Sequence, residues 1–392
     1  MKPGGLYIQV PFCASKCSFC NFSSQVAPTD VYDGYVESLE REMILRGKWG
    51  GCKDSGAGLG LQTFDTVYVG GGTPTLLGIE RLARVFRAIR VSFNLKDANE
   101  VTVEIAPGST PGRMLDHLLA LGVSRLSFGA QSFEDIELRT TGRLHTAGDT
   151  LAALRCARAG GFRNLSLDLI AGLPYQTTES WRRSLRTAAS LEPEHISIYL
   201  FEADEKSRLG RQLLSGKGGG HAAFVPDEEF MAQAYEEACG FLPKEGYEHY
   251  EISNFARPGF ESAHNLKYWR RDPYLGLGAG AHSFDGRVRW ANDADPASYC
   301  ARLNRGELPV ADSRPLDVAA EMEEYFFLGL REIKGVSLEH ARRMWRTPPL
   351  DVWKESARRL QEEGFLREQG GRLMLTERAY LVSNEVFEQF LC

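Results

Sequence analysis

Cys13, Cys17 and Cys20 fall within eight residues as C-x3-C-x2-C, directly after the short apolar run Leu6–Val10. Three thiolates are one short of a closed tetrahedral zinc site, and one short of ligating every iron of a [4Fe–4S] cluster. A cluster held this way keeps one iron open for another ligand. Two other readings of the spacing remain open. One is a zinc site, whose nearest downstream His or Cys is Cys52, beyond a predicted helix; the other is a two-cysteine pair with an isolated third thiol. Cys52, Cys156, Cys239, Cys300 and Cys392 are scattered singly, as inert thiols usually are.

The elements that position this cluster can be read from periodicity. Six short β-rich runs, Leu6–Val10, Thr66–Val69, Val101–Ile105, Arg125–Phe128, Leu165–Leu169 and His195–Tyr199, alternate with helical patterns such as Val31–Arg46, Ile79–Ile89 and Ala147–Ala159. That order predicts an α/β fold with a parallel sheet buried on both faces. Polar groups then recur where the strands end. Gly70-Gly71-Gly72-Thr73-Pro74 follows the second strand, Glu104 ends the third, Gln131 follows the fourth, Arg143 lies between the fourth and fifth, and Asp168 ends the fifth. A carboxylate at a strand end often only caps the next helix. Five consecutive strand ends each delivering a useful group predict a shared site on the rim where parallel barrels build theirs.

Composition limits the partners. The 392 residues carry a net charge of −6 and 25% charged residues, a field that repels a phosphate backbone, so general nucleic-acid binding is disfavoured. No run approaches the roughly 18 apolar residues of a membrane span, and the first 12 residues lack a secretory h-region. A cytosolic or organelle-matrix protein is expected. Gly47–Gln62 and Leu213–Pro226 read as glycine-rich surface loops, and neither matches a P-loop; nor is Gly276–Gly280 (GLGAG) a dinucleotide fingerprint. Beyond about Pro296 the pattern becomes helix (Glu321–Arg331), helix (Leu350–Glu363), hairpin (Phe365–Leu375, turning at Gly370-Gly371) and helix (Glu377–Phe390). This suggests a small winged-helix-like α+β domain and a division into 1–295 and 296–392. Residues 340–372 hold 8 Lys/Arg against 5 Asp/Glu, interleaved, so that module reads as packing or lid rather than DNA-binding.

The cysteine spacing, with Phe19 before the third cysteine, resembles the radical S-adenosylmethionine (SAM) superfamily, in which the open iron chelates that cofactor. The resemblance implies a partial (β/α)6 TIM-like barrel. It narrows through Leu6–Cys13 (LYIQVPFC), Val69–Pro74, Gly122–Phe133 (GVSRLSFGAQSF), Gly142–His145 (GRLH), Leu167–Pro174 (LDLIAGLP) and Tyr250–Pro258 (YEISNFARP) to the oxygen-independent coproporphyrinogen III oxidase group. The resemblance implies that Cys13, Cys17 and Cys20 hold the cluster and that Tyr7, Gly71 and Glu104 contact the cluster-bound SAM. Phe19, Gly72, Thr73, Gln131, Arg143 and Asp168 match positions around a second SAM in the true oxidase.

Two departures separate this chain from the oxidase. Phe22 stands where the oxidase has a further cysteine, and only six residues precede Tyr7. Both point to the HemW type, a haem-binding branch of the group. His264-Asn265-Leu266-Lys267-Tyr268-Trp269 fits the H-N-x-x-Y-W motif that this branch associates with haem. A histidine can supply an axial imidazole, and Tyr268 and Trp269 offer flat faces to a porphyrin. The bland reading is a histidine satisfied among core aromatics; His282, in GAGAHSF, is a competing ligand. The resemblance thus implies a cytoplasmic haem chaperone with a [4Fe–4S] cluster, SAM and haem, which delivers haem to respiratory haemoproteins and reaches the membrane surface only through a partner. Its scaffold is able to cleave SAM, but coproporphyrinogen oxidation is not expected. The alternatives are the decarboxylating oxidase and a zinc-stabilised, non-enzymatic protein.

Overall fold

A computed structural model describes residues 2–49, 63–109, 112–216, 219–345 and 349–391. Most of the glycine-rich stretch 47–62, Cys52, Cys392 and part of the 213–226 loop lie outside these residues. The chain opens with β1 (Gly4–Val10), α1 (Val31–Trp49), β2 (Phe64–Gly71), α2 (Gly78–Ser92), β3 (Leu95–Ile105), α3 (Gly112–Ala120), β4 (Arg125–Gln131), α4 (Asp135–Thr140), α5 (Ala147–Ala159), β5 (Leu165–Ala171), α6 (Thr178–Ser190) and β6 (His195–Leu200). These six strands lie side by side in sequence order and all parallel. Each expected strand is present, extended by a few residues.

β1 and β6 do not pair, so the sheet curls without closing. Its edges continue with α7 (Arg208–Leu214), α8 (Glu228–Phe241), β7 (Glu248–Glu251), β8 (Asn254–Ala256), α9 (Ala263–Trp269), β9 (Tyr274–Leu277), β10 (His282–Phe284), β11 (Val288–Asn292), α10 (Pro296–Asn304) and β12 (Val310–Pro315). The twelve strands run β12-β11-β10-β9-β1-β2-β3-β4-β5-β6-β8-β7.

The strands are not apolar on both faces. Ile8, Val69, Val103, Phe128, Leu167 and Ile196 are buried under the helices. One residue out of phase on the same strands, Tyr68, Glu104, Arg125, Ser127, Asp168, His195 and Ser197 face a common interior cavity. A period of two puts alternate side chains on opposite faces, so one strand supplies both the core and the site. On the outer side, α2 buries Leu82, Val85, Phe86 and Ile89. Capping boxes at Thr146 and Thr177 start α5 and α6.

The remaining chain forms α11 (Val318–Gly329), β13 (Val336–Ser337), α12 (Leu338–Met344), α13 (Pro349–Glu362), β14 (Leu366–Gln369), β15 (Arg372–Leu375) and α14 (Ser383–Glu388), with a three-stranded sheet β13-β15-β14. Helix, strand, two helices and a hairpin are the order of a winged-helix-like module. Gly370 and Gly371, at φ +58° and +71°, make its turn. The expected single helix Glu377–Phe390 is broken. A short 3-10 turn, Glu377–Ala379, precedes α14, and Val382 between them leaves helical geometry at φ −112°, ψ 27°. The break lets Tyr380 pack edge-on against His249 while Phe390 stacks on Phe326. The module docks through backbone bonds from Ile252 N to Arg331 O and from Ile333 N to Tyr250 O, and through the Arg270–Glu332 ion pair at 2.7 Å. Among the described residues no helix is long and apolar enough to cross a membrane.

Candidate functional site

The cysteine loop leaves β1 and is pinned at its base and on two sides. Cys13 N donates to Gln25 O at 2.9 Å and Gln25 N to Pro11 O at 2.8 Å, closing the base. Gly72 N donates to Val10 O and Thr73 N to Phe12 O, so the glycine turn grips one side. Opposite, Ser18 N donates to Thr141 O, and Leu209 N to Ser18 O. Gly72 allows this close approach, because a Cβ there would meet Phe12 O at 2.4 Å. Gly71, at φ +104°, has no room either: its Cβ would strike the Gln9 carboxamide. That carboxamide accepts from Tyr7 Oη at 2.7 Å and donates to Ser23 O at 3.2 Å.

Cys13, Cys17 and Cys20 are free and half-buried. Burial raises the pKa of the Cys20 thiol, and the neighbouring Cys17 and Cys13 raise it further. Cys20 borders a cavity of about 500 Å³, and Cys17 a smaller one of about 240 Å³. Among the described residues no three His, Cys, Asp or Glu side chains converge on one metal ion. Three thiols on one short loop are a donor set that suits a polynuclear centre with each thiolate on its own iron, and a single zinc would need a fourth ligand. The Arg143 guanidinium stands beside it, Nη1 at 3.5 Å from Cys17 Sγ and Nη2 donating to Gly129 O at 2.6 Å.

Glu104 accepts from Tyr68 Oη at 2.9 Å and from Gly71 N at 2.9 Å. Burial pushes its pKa up to about 7 and Asp168 adds to the rise, against those two hydrogen bonds and Arg125. A carboxyl so poised gains from a cationic ligand such as an ammonium group. Burial also raises Asp168, opposed by Ser197, Arg125, Arg143 and Ser127. Gln131 holds φ +67°, rare for a side-chain-bearing residue, and Gly129 leaves the space its amide fills.

The rim thus brings together most of the expected residues. Phe19, Cys20, Glu104, Gln131 and Asp168 line the large cavity. Cys17, Thr73 and Arg143 line the smaller one, with His145, whose pKa burial lowers to about 4. Tyr7, Gly71 and Gly72 lie beneath the loop rather than in either cavity wall.

The H-N-x-x-Y-W segment lies away from the cysteine loop and reaches the large cavity only through Asn265. It forms α9, which closes the opposite mouth of the sheet: Lys267 pairs with Asp65 at 2.7 Å and donates to Pro3 O. His264 is 1% exposed, with Nδ1 2.9 Å from Thr66 Oγ1 and Nε2 2.9 Å from Tyr268 Oη. Burial lowers its pKa to about 3, Lys267 and Arg125 contributing. Both ring nitrogens are in use. Tyr268 packs edge-on against Tyr274, and Trp269 lies under the Arg331 guanidinium at 4.4 Å. His282 is exposed on β10, paired with Ala291.

Sequence reasoning missed Tyr68, Gln9, Arg125 and Arg331. Tyr68 and Arg125 share the strand phase of Glu104 and Asp168, a signal that was available. Arg331 reaches the cavity from the C-terminal module and carries no local signal.

The radical SAM superfamily matches residues 7–188, and the HemN C-terminal domain matches residues 316–382. The protein named heme chaperone HemW of Bacillus subtilis (strain 168) is 35% identical over 98% of both chains. That of Lactococcus lactis subsp. lactis (strain IL1403) is 30% identical over 100% of this chain and 98% of its own. The Bos taurus protein named radical S-adenosyl methionine domain-containing protein 1, mitochondrial, is 32% identical over 92% of this chain and 81% of its own. Among solved structures, the Escherichia coli coproporphyrinogen III oxidase HemN shares the fold, with a TM-score of 0.85 over 99% of this chain and 90% of that one at 24% identity. With a three-cysteine loop on an open parallel sheet and full-length relatives at this level of identity, the chain belongs to the HemW family of the radical SAM superfamily.

Proposed function

We propose that the protein is a haem chaperone: it binds haem, a [4Fe–4S] cluster on Cys13, Cys17 and Cys20, and SAM at the open iron, and hands haem to acceptor haemoproteins. The supporting observation is the grip of the glycine turn on the cysteine loop, which sets three thiols and the Glu104 carboxyl around one rim. Gly71 and Glu104 would position the SAM amino group, with Tyr7 bracing them through Gln9. Phe19, Gly72, Thr73, Gln131, Arg143 and Asp168 would surround a second such position. The protein would act in the cytoplasm and meet membranes through a partner. We further propose two domains, the second beginning after β12 rather than at the expected 296, since β12 still pairs with β11 in the large sheet.

Anaerobic incubation of reconstituted protein with haem, SAM and a reductant, followed for haem transfer, 5′-deoxyadenosine and porphyrin products together, tests this. Haem bound and passed to an apo-haemoprotein, with no turnover of coproporphyrinogen III, is the expected result. Catalytic formation of protoporphyrinogen would replace the chaperone reading by the oxidase. A colourless, zinc-loaded protein would remove the cluster.

A further inference from the structure

The cavity of about 500 Å³ runs from the cysteine loop, at Phe19 and Cys20, to Arg331, Tyr380 and Asn384 of the C-terminal module. Resting on the haem reading above, we propose that the far end of this cavity receives a carboxylate edge of a tetrapyrrole on Arg331. In this arrangement the H-N-x-x-Y-W segment serves the ligand through Asn265 and Trp269 and not through a His264–iron bond.

Three observations carry this. First, α9 divides its motif: His264 faces the core with both nitrogens bonded, while the next residue, Asn265, lines the cavity. Second, Arg331 sits over the Trp269 ring, its guanidinium carbon 4.4 Å from the ring centroid, which holds that end of the side chain in place. Its ion pair with Glu251 is long, at 3.5 Å, and its buried Nε finds no hydrogen-bond partner among the described residues. Third, Arg125 lines the same cavity at 2% exposure, and its Nε is likewise unpartnered among the described residues. Native proteins rarely leave buried donors unused, and a planar guanidinium suits a carboxylate.

The rest of the cavity fits the same ligand. Its volume, about 500 Å³, lies within the usual range of small-molecule sites. Ile252, Tyr380 and Leu381 offer apolar faces beside Arg331. Glu104 and Asp168 stand on the strand-end side, where they offer no cation to an anionic group and, once deprotonated, would repel it. A flat, largely apolar molecule with acidic groups on one edge is therefore turned with that edge toward Arg331.

Anaerobic titration of the full-length protein with haem and with haem dimethyl ester, whose propionates are capped, tests the assignment. The wild type should bind the diacid ~10–100-fold more tightly than the ester, the size expected of a charge-assisted hydrogen bond. In Arg331→Gln that preference should collapse while affinity for the ester is kept. Should Arg331→Gln unfold by stranding Glu251, the double variant Glu251→Gln/Arg331→Gln removes both charges, and it too should lose the preference. Equal binding of diacid and ester by the wild type, or a preference that survives either variant, overturns the assignment but leaves haem binding standing. Absence of saturable binding of both compounds by the wild type overturns the haem reading itself.

Discussion

Gly71 donates its backbone amide to Glu104 Oε2 at 2.9 Å, tying the turn after β2 to the end of β3. This bond holds in place a carboxyl whose pKa burial has raised to about 7 from an ordinary 4.5. Between those values the folded chain keeps a proton that the unfolded chain has released, so this group's contribution to stability falls as pH rises through the window. Glu104→Gln should therefore gain stability on the wild type, by ~1–3 kcal/mol, between about pH 5 and about pH 8. Thermal melts at the two pH values check it; a constant gap would show that the carboxyl is not perturbed.

The same carboxyl makes cation binding pH-linked. If Glu104 meets the SAM amino group, affinity should drop by up to ~10-fold per pH unit below about 7, because the proton must leave first. Calorimetry on cluster-loaded protein would show this slope, and Glu104→Gln should abolish it.

Gly72→Ala drives a Cβ to 2.4 Å from Phe12 O and 2.8 Å from Val10 O, both rigid backbone. The turn must then part from the cysteine loop. Iron and sulfide retained after reconstitution should fall several-fold, and stability should fall by ~2–4 kcal/mol. Gly78→Ala is the control for strain alone, since Gly78 has positive φ but nothing within 4 Å of its Cβ; it should keep its iron.

His264→Ala leaves a buried gap and two unpaired hydroxyls, Thr66 and Tyr268, at a cost of ~2–4 kcal/mol near neutral pH. Its pKa, lowered to about 3 from 6.5, means that the wild-type histidine loses stability as pH falls through that range. The gap between variant and wild type should narrow on acidification. The Soret band of the haem complex should stay where it is; a shift would place this imidazole on iron.

Arg143 brings a positive charge to within 3.5 Å of Cys17 Sγ. Arg143→Met should make the cluster harder to reduce, by on the order of 50–100 mV, since the added electron loses a nearby cation. Redox titration monitored by electron paramagnetic resonance measures it.

The strands and the rim were legible in the sequence because both depend on short-range pattern. β1 through β6 appear where β-rich runs alternate with helical spacing, and Glu104 and Asp168 stand out as charges on otherwise apolar strands. The inside of the sheet was harder to read. Tyr68, Ser127 and Ser197 look unremarkable singly and become a polar lining only once the phase of neighbouring strands is aligned. α9 shows the opposite difficulty. His264 has every local mark of a ligand, yet Thr66, far away in sequence, takes its Nδ1. Arg331 was invisible for the same reason: its role depends on where the C-terminal module docks. The break at Val382 also has a tertiary origin, since Tyr380 and Phe390 each find partners on different elements.

Because β1 and β6 never meet, the wall of the large cavity is completed late, by Tyr380, Leu381, Ser383 and Asn384 near the end of the chain. Shortening the chain before Tyr380 would remove this wall while leaving the cysteine loop and the six parallel strands in the sequence. On the reading proposed above, a metal centre would need only the cysteine loop and the sheet beneath it, whereas a bulky guest would need the chain through Asn384.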